Sequence, residues 1–372
     1  MAMPFPPSNN ASDIARLADR CVQCGLCLPH CPTYQLDRSE AESPRGRIAY
    51  MKALAIGQIM ASDAGDRHLD HCLGCRRCES ACPANVEYGD LLALAREQQY
   101  LRKPPPYKFK LLAGVLAKPG LVRIAGALGR ASGQLPTLPN TAVRNESRPA
   151  DKTGKVAIFI GCIANAYEAN TRLNLQKILN AQGFSVLPAN GQTCCGTAAT
   201  SLGDRRTAGA LAEKNCIAFD NGITVLSLAT GCHEQLSRSL ENQNTVIDAL
   251  DFVSRRSGLL KFKAANKKIA LHIPCSQSTV VKSDQAVRQL LAMIPGLEIQ
   301  ELPDRGCCGA AGLQMLAEPD RANRLRTPLI EKIHETDVTE LLSSNIGCRL
   351  HIANGLKIPV RHPIDFLAEH LA

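Results

Sequence analysis

Three short apolar runs stand out along a chain of otherwise mixed polarity: VAIFIGC at 156–162, ITVLSLATGC at 223–232 and KKIALHIPC at 267–275. Each finishes on a cysteine. Runs of this length predict buried strands of a parallel sheet that deliver their last residues to the sheet edge. Between them, stretches such as RRTAGALAEKNCIAFD at 205–220 carry apolar residues at helical spacing. Nearer the N-terminus, SPRGRIAYMKALAIGQIM at 43–60 reads as a helix, with Ser43 as its N-cap and Pro44 at the first position. The pattern predicts a helical first part and an α/β second part. No apolar run reaches the roughly 18–20 residues that span a bilayer.

The second part repeats itself. Cys162, the pair Cys194 and Cys195 followed by Gly196, and then Cys232 recur as Cys275, the pair Cys307 and Cys308 followed by Gly309, and then Cys348. The first three cysteines map onto the second copy with an offset of 113 residues and the fourth with 116. That regularity signals a duplicated unit, a small α/β domain whose cysteines converge at one end. Gly196 and Gly309 permit a tight backbone beside the paired cysteines. Adjacent cysteines are awkward ligands for one simple cluster or zinc ion, because neighbouring side chains diverge. The alternatives are an unusual cluster, a supporting or redox role for one cysteine, or thiols packed as small hydrophobes. Cys216, in the middle of a predicted helix, reads as a packing residue.

The helical part holds two further runs. CVQCGLCLPHCP places Cys21, Cys24, Cys27 and Cys31 at the spacing C-x2-C-x2-C-x3-C, and Cys72, Cys75, Cys78 and Cys82 repeat it; Pro32 and Pro83 close the runs. Soft thiolates at that spacing hold 4Fe–4S clusters, and in two-cluster proteins the fourth cysteine of each run serves the other cluster. The expected sets are Cys21, Cys24, Cys27 and Cys82 for one cluster, and Cys72, Cys75, Cys78 and Cys31 for the other. Two zinc sites are the competing reading, which two complete runs with trailing prolines disfavour. Gly25 and Gly74 allow close approach and unusual turns. Arg45 and Arg47 either neutralise cluster charge, face a partner, or stand as a solvated helix start.

Composition narrows the classes. Seventeen cysteines is an odd number, spaced unlike a disulfide scaffold, so a reducing, cytosolic location is expected. Aromatics make up 4% with no Trp, which argues against a stacking platform for nucleic acid or sugar. MAMPFPPSNN shows no basic region followed by an apolar one, so no secretory signal is read there. Residues 101–150 carry nine Lys or Arg against the single acid Glu146, which is +8 of the chain's formal +9. Proline marks this segment at 104–106, 136, 139 and 149. Within it, YKFKLLAGVLAKPGLVRIAGALGRA alternates apolar patches with cations. The segment is either a contact for an anionic membrane surface or acidic partner through 102–130, or a connector packed across the helical first part with solvated cations. No nucleic-acid module accompanies the charge.

Taken together, the chain resembles the iron–sulfur subunits of glycolate oxidase, within the wider family of heterodisulfide-reductase-type cysteine-rich CCG proteins. Beyond the cysteines, the resemblance is carried by CPTYQL, PRGRI, LPANGQTCCG, RGCCGAAG and SSNIGCRLH. It implies an α+β, multidomain fold: an N-terminal α-helical 2×4Fe–4S ferredoxin domain (1–100), a basic linker (101–152), and two tandem α/β CCG domains (153–262 and 263–372). It also implies two 4Fe–4S clusters, a further iron–sulfur cluster in the CCG region, FAD-binding glycolate oxidase subunits as partners, and the quinone pool as acceptor. The place implied is the cytoplasm, at the inner face of the cell membrane. Subunits of lactate or anaerobic glycerol-3-phosphate dehydrogenases, and a free electron carrier, are the alternatives.

The family's CCG pattern ends in C-x2-C, but Cys232 is followed by Gln235 and Cys348 by His351. A third site at Cys275, Cys307, Cys308, Cys348 and His351 is therefore expected over a fourth at Cys162, Cys194, Cys195 and Cys232, since Gln is a poor iron ligand. His351 is alternatively a hydrogen-bonding support or a surface residue. His233, His272 and His362, near the cysteine loops, read as structural. No G-x-G-x-x-G joins a strand to a helix, so the flavin is expected on another chain.

Overall fold

The computed structural model describes residues 10–132, 135–139, 142–143, 154–302 and 306–372. The start of MAMPFPPSNN, the linker residues Arg144, Glu146, Arg148 and Pro149, the expected boundary near residue 152, and Arg305 lie outside the described residues.

The N-terminal part is helical throughout. Helices Asn10–Ala18, Pro44–Ala55, Asp63–Asp70 and Tyr88–Arg102 close around Ile14, Leu17, Ile48, Met51, Leu69, Leu91 and Leu92. Ser43 caps the second of these helices as expected, its Oγ accepting from the Gly46 N–H at 2.9 Å, with Pro44 in the first turn. The helix stops at Ala55 rather than running to Met60. Gly57 turns left-handed at φ +73°, and the Gln58 N–H returns to the Ala53 carbonyl.

The second part holds two four-stranded parallel sheets of identical order. β1 (Gly154–Phe159), β2 (Phe184–Leu187), β3 (Thr224–Ser227) and β4 (Val246–Asp248) lie in the order β2-β1-β3-β4. β5 (Lys267–Leu271), β6 (Leu297–Glu301), β7 (Glu340–Leu342) and β8 (Val360–Arg361) follow as β6-β5-β7-β8. Val156 stands beside Val186 on one side and Thr224 on the other; Ile269 stands beside Ile299 and Glu340. Helices return the chain between strands, as parallel pairing requires; Ala169–Ala181 and Asp284–Ala292 are the first such returns in each copy.

Strand periodicity divides the cores. Val156, Ile158 and Leu226 of the first sheet face a layer that also contains Ile269, Leu271 and Leu342 of the second, joined by Phe366 and Leu367. Their neighbours Ala157, Phe159 and Val225 point to the opposite face with Cys162, Cys194 and Cys195, while Ala270 and Leu341 do so with Cys308 and Cys348. Both faces of each sheet are thus buried, which explains the continuous apolar runs. A buried ion pair, Arg349 with Glu168, also links the copies, and Asp365 accepts from Thr171 Oγ1 at 3.0 Å and Asn174 Nδ2 at 2.8 Å.

The basic segment packs chiefly on the first copy rather than across the ferredoxin part. It forms helices Tyr107–Leu116 and Pro119–Ala131, bent by 107° at the break, and packs Val122 against the first copy. No single described helix is long and apolar enough to cross a membrane.

Candidate metal centres

Parallel strands bring their carboxyl ends to one edge, where the following helices begin. Cys162 and Cys275 precede the first turns after β1 and β5; Cys232 and Cys348 lie in the first turns of helices Thr230–Leu240 and Ile346–Ala353. Each copy therefore collects its cysteines at one sheet edge, and helix N-termini there favour negative charge. The helical N-terminal part is docked against both copies: Arg76 pairs with Glu234, Arg238 with Asp90 at 2.5 Å, and Arg321 with Asp37 at 2.5 Å.

In the N-terminal part, Cys21, Cys24 and Cys27 line a cavity with Cys82, Arg45 and Tyr88. The adjoining cavity is lined by Cys72, Cys75 and Cys78 with Cys31, Arg47 and Tyr88. The first cavity brings three cysteines of the first run together with Cys78 and Cys82 of the second, and the second brings three of the second run together with Cys31. Cys78 and Tyr88 border both, so the cavities share a wall. Gly25 turns left-handed at φ +82°, where any other residue would be strained, and its bare Cα lies close to the Arg45 guanidinium.

The two arginines of PRGRI separate in role. Arg45 is half-exposed and binds Glu40 at 2.7 Å and the Gln23 carbonyl at 3.1 Å, beside the first cavity. Arg47 is buried beside the second, donating to the Glu42 carbonyl at 2.6 Å, to Thr33 Oγ1 at 3.0 Å and to Glu42 Oε2 at 2.5 Å. Burial alone would raise the Cys72 thiol, but the Arg47 and Arg96 charges outweigh it and bring its pKa below the ordinary value. The Arg96 guanidinium reaches the Cys72 carbonyl at 2.7 Å. Elsewhere burial dominates: it pushes the Cys27 thiol up to about 11. Such desolvated thiols gain most from a cationic group that takes their charge.

The second cavity abuts the cysteine set of the second copy. Thr279, just after Cys275, donates its hydroxyl to the Cys75 carbonyl at 2.8 Å, and Arg77 Nη2 donates to the Gly306 carbonyl at 3.2 Å. Cys75 is raised by burial and then by the neighbouring Cys275. Cys275 and Cys307 are each pushed up to about 12, again chiefly by burial. The Sγ atoms of Cys308 and Cys348 lie 2.8 Å apart. In the first copy Cys162, Cys194, Cys195 and Cys232 interact in succession; Cys194 is raised by its contacts with Cys162 and Cys195, and Cys195 is lowered by those with Cys194 and Cys232.

The two residues at the fifth position behave differently. His351 turns Nδ1 to the Cys308 carbonyl at 2.5 Å, with Nε2 3.3 Å from Asn323 Oδ1, so its Nδ1–H bonds the cysteine loop. Gln235 accepts from Thr200 Oγ1 at 3.0 Å. His272 bonds Ser343 Oγ at 3.0 Å, His233 bonds Ser227 Oγ at 2.8 Å, and Cys216 Sγ meets the Ser239 carbonyl at 3.0 Å, all structural roles.

Sequence reasoning missed Arg77, Arg96, Tyr88 and the buried network of Glu42. Glu42 Oε1 meets His68 Nδ1 at 2.6 Å and His71 Nδ1 at 2.5 Å, while Arg321 reaches Oε2 at 3.0 Å. Burial would raise this carboxyl, but the bonds to His71 and His68 and the Arg47 charge hold it at about 2. These contacts span up to 279 positions, which no local pattern shows.

Comparison with known proteins agrees with this geometry. The profile of a 4Fe-4S dicluster domain matches residues 17–86, and that of a cysteine-rich domain matches 156–237 and 269–353. The glycolate oxidase iron-sulfur subunit of Escherichia coli (strain K12) is 31% identical, over 94% of this chain and 93% of that protein. This chain belongs to the family of glycolate oxidase iron–sulfur subunits. A probable member from Bacillus subtilis (strain 168) is 29% identical over the same shares of the two chains. Lactate utilization protein A 1 of Bacillus anthracis is 24% identical over 58% of this chain and 99% of its own. The chain is thus an iron–sulfur electron-transfer subunit of an oxidase-type complex, with an N-terminal dicluster domain and two CCG regions. Clustered thiols with arginines beside them fit iron–sulfur cargo well.

Proposed function

We propose that this chain relays electrons within a multisubunit glycolate oxidase, from FAD-binding partner subunits that convert glycolate to glyoxylate towards the quinone pool. Two 4Fe–4S clusters are assigned, one to Cys21, Cys24, Cys27 and Cys82 and the other to Cys72, Cys75, Cys78 and Cys31. Such clusters accept and pass single electrons. The chain itself supplies ligands, positioning and charge: Arg45 beside one set, Arg47 and Arg96 beside the other, and Tyr88 in the shared wall. A third centre is assigned to Cys275, Cys307, Cys308 and Cys348, supported by His351, and Cys162, Cys194, Cys195 and Cys232 form a separate fourth candidate. The observation that carries the reading is the pair of adjoining cysteine-lined cavities that share Cys78, the second of them pressed against the cysteines of the second copy.

The test is glycolate-dependent reduction of a quinone analogue by the complex purified anaerobically through this chain. Activity with a flavin-bearing partner, lost together with part of the iron in Cys75→Ser and Cys82→Ser, supports the proposal. Full iron content in both variants refutes the ligand assignment. Reduction driven by lactate or glycerol 3-phosphate but not glycolate refutes the donor, and a chain that purifies alone with its iron refutes the complex.

A further inference from the structure

The helix pair Tyr107–Leu116 and Pro119–Ala131 has two unlike faces. Inward, Val122 and Gly126 are buried, Val115, Leu116 and Ala117 pack on the first copy's core, and Thr193 Oγ1 donates to the Ala117 carbonyl at 2.8 Å. Arg130 lies over the Tyr167 ring, 4.6 Å from its centroid. The pair is therefore held rigidly to the body. Outward, positions 121, 124, 125 and 128 fall on one helical stripe, and its large members are open to solvent: Leu121 at 45%, Ile124 at 62% and Leu128 at 67%. Leu111 and Tyr107 extend the apolar surface onto the first helix at 55% and 77% exposure.

Such a stripe on a fixed scaffold costs solubility unless something covers it. The charge around it says what. Lys108, Lys110, Lys118 and Arg123 are all exposed, and none is within ion-pair distance of a described carboxylate. No Asp or Glu occurs between Glu97 and Glu146. Apolar side chains bracketed by cations without ion-pair partners, in a segment with no acid of its own, match the boundary between anionic headgroups and acyl chains. The helices do not suit a crossing: at 10 and 13 residues, each is only about 15–20 Å long, and they meet at a 107° bend.

We infer that this helix pair is a membrane-surface anchor that lays Leu121, Ile124 and Leu128 into an anionic lipid surface while Lys108, Lys110, Lys118 and Arg123 meet the headgroup phosphates. The inference stands independently of the redox assignment, because none of these residues lines either of the two cavities to which clusters are assigned. It places the first copy's cysteine edge, on which the pair packs, close to the lipid.

The test is co-sedimentation of the full, iron-loaded chain with phosphatidylcholine vesicles, with and without about one third phosphatidylglycerol. Binding to the anionic vesicles only, weakened by salt, is expected. Ile124→Ser with Leu128→Ser should weaken it on the order of tenfold or more, and so should Lys108→Glu with Lys110→Glu, with iron content unchanged in both. Retained iron shows that the variants are folded. Equal pelleting of wild type and the serine variant, or no preference for anionic lipid, overturns the anchor. Failure on vesicles combined with loss of a co-purified flavoprotein subunit from the serine variant also overturns it, and makes the stripe a protein interface.

Discussion

Arg77 stands where the N-terminal dicluster domain meets the second CCG copy, and its charge sets a measurable quantity. Burial works against its guanidinium, yet Cys75, Cys275, Cys307 and Cys308 together outweigh that and hold its pKa above the ordinary arginine value. Its Nη2 is anchored on the Gly306 carbonyl at 3.2 Å, next to Cys307. A unit charge about 7 Å from a redox centre, at an effective dielectric constant of about 20, contributes about 2.4 kcal/mol. For a one-electron couple that is about 100 mV, and partial solvent screening reduces it to about 50–100 mV. Removing a positive charge disfavours the reduced, more negative state, so Arg77→Gln should lower the potential of the centre at Cys72, Cys75, Cys78 and Cys31 by that amount. Arg77→Lys keeps the charge and should shift it far less. The assay is an anaerobic redox titration followed by electron paramagnetic resonance, with iron content measured alongside. The thiols that act on Arg77 are Cys75, Cys275, Cys307 and Cys308, so the centre at Cys21, Cys24, Cys27 and Cys82 serves as an internal reference. A glutamine variant with full iron and a shift below about 20 mV would refute the argument, because no buried-side charge could then be acting on the centre.

Further outcomes follow from groups away from the cavities. Arg349→Met strands Glu168, whose side chain is 0% exposed, and should cost about 3–5 kcal/mol in denaturant unfolding; adding Glu168→Leu should recover most of it. His362 donates Nε2–H to the Leu228 carbonyl at 3.2 Å and accepts the Ile364 N–H on Nδ1 at 3.1 Å, so it folds neutral. Burial, then the Arg349 charge, depresses its pKa to about 3. The unfolded chain therefore binds the proton first, and stability is full above pH of about 6.5 and falls by up to about 1.4 kcal/mol per unit as pH drops towards 3. A His362→Gln variant should flatten that slope, and an unchanged slope would assign it elsewhere. Gly309→Ala should lose iron and melt lower than Gly196→Ala: both glycines are left-handed, but a Cβ at Gly309 would sit 2.2 Å from the Ala322 carbonyl oxygen, against 3.6 Å for the nearest atom at Gly196. Equal losses in the two variants would show that backbone strain alone matters.

Local chemistry is what the sequence displays well. VAIFIGC and KKIALHIPC read as buried strands because both faces of each sheet are covered, Val156 and Ile158 on one side and Ala157 and Phe159 on the other. The Ser43 cap and Pro44 mark a helix start because capping depends only on neighbours. The same helix's end was less visible, since IGQIM keeps its apolar character past Ala55 and only the left-handed Gly57 ends it. The basic segment shows the limit more sharply. Its apolar and cationic residues are evident in the sequence, but which of them face the body depends on Val122 and Gly126 meeting the first copy.

The difference between the two CCG copies is where sequence and structure part company. Both have four cysteines at nearly the same spacing, so chemistry alone separates them only by Gln235 and His351. The structure docks both copies against the N-terminal part, by different contacts. Thr279 touches the Cys75 carbonyl and Arg77 reaches Gly306, while the first copy meets the same loop through Arg76 with Glu234, two residues after Cys232, and the helices beyond it through Arg205 with Glu97 at 3.1 Å and Tyr100 with Asp204 at 3.2 Å. Electron tunnelling falls steeply with distance, and the second copy reaches the Cys75 backbone itself through Thr279, so the proposed centre at Cys275, Cys307, Cys308 and Cys348 is the one we expect to exchange with the cysteines at 72–78. The helices that carry Leu121, Ile124 and Leu128 pack on the cysteine side of the first copy. Of the two cysteine edges, the second bonds the Cys75 carbonyl and the first lies under the proposed anchor helices. That division predicts that losing Cys308 should interrupt electron flow while losing Cys195 should leave it intact. Interruption in the Cys195→Ser variant with all other iron retained would place both copies on the path and remove the distinction.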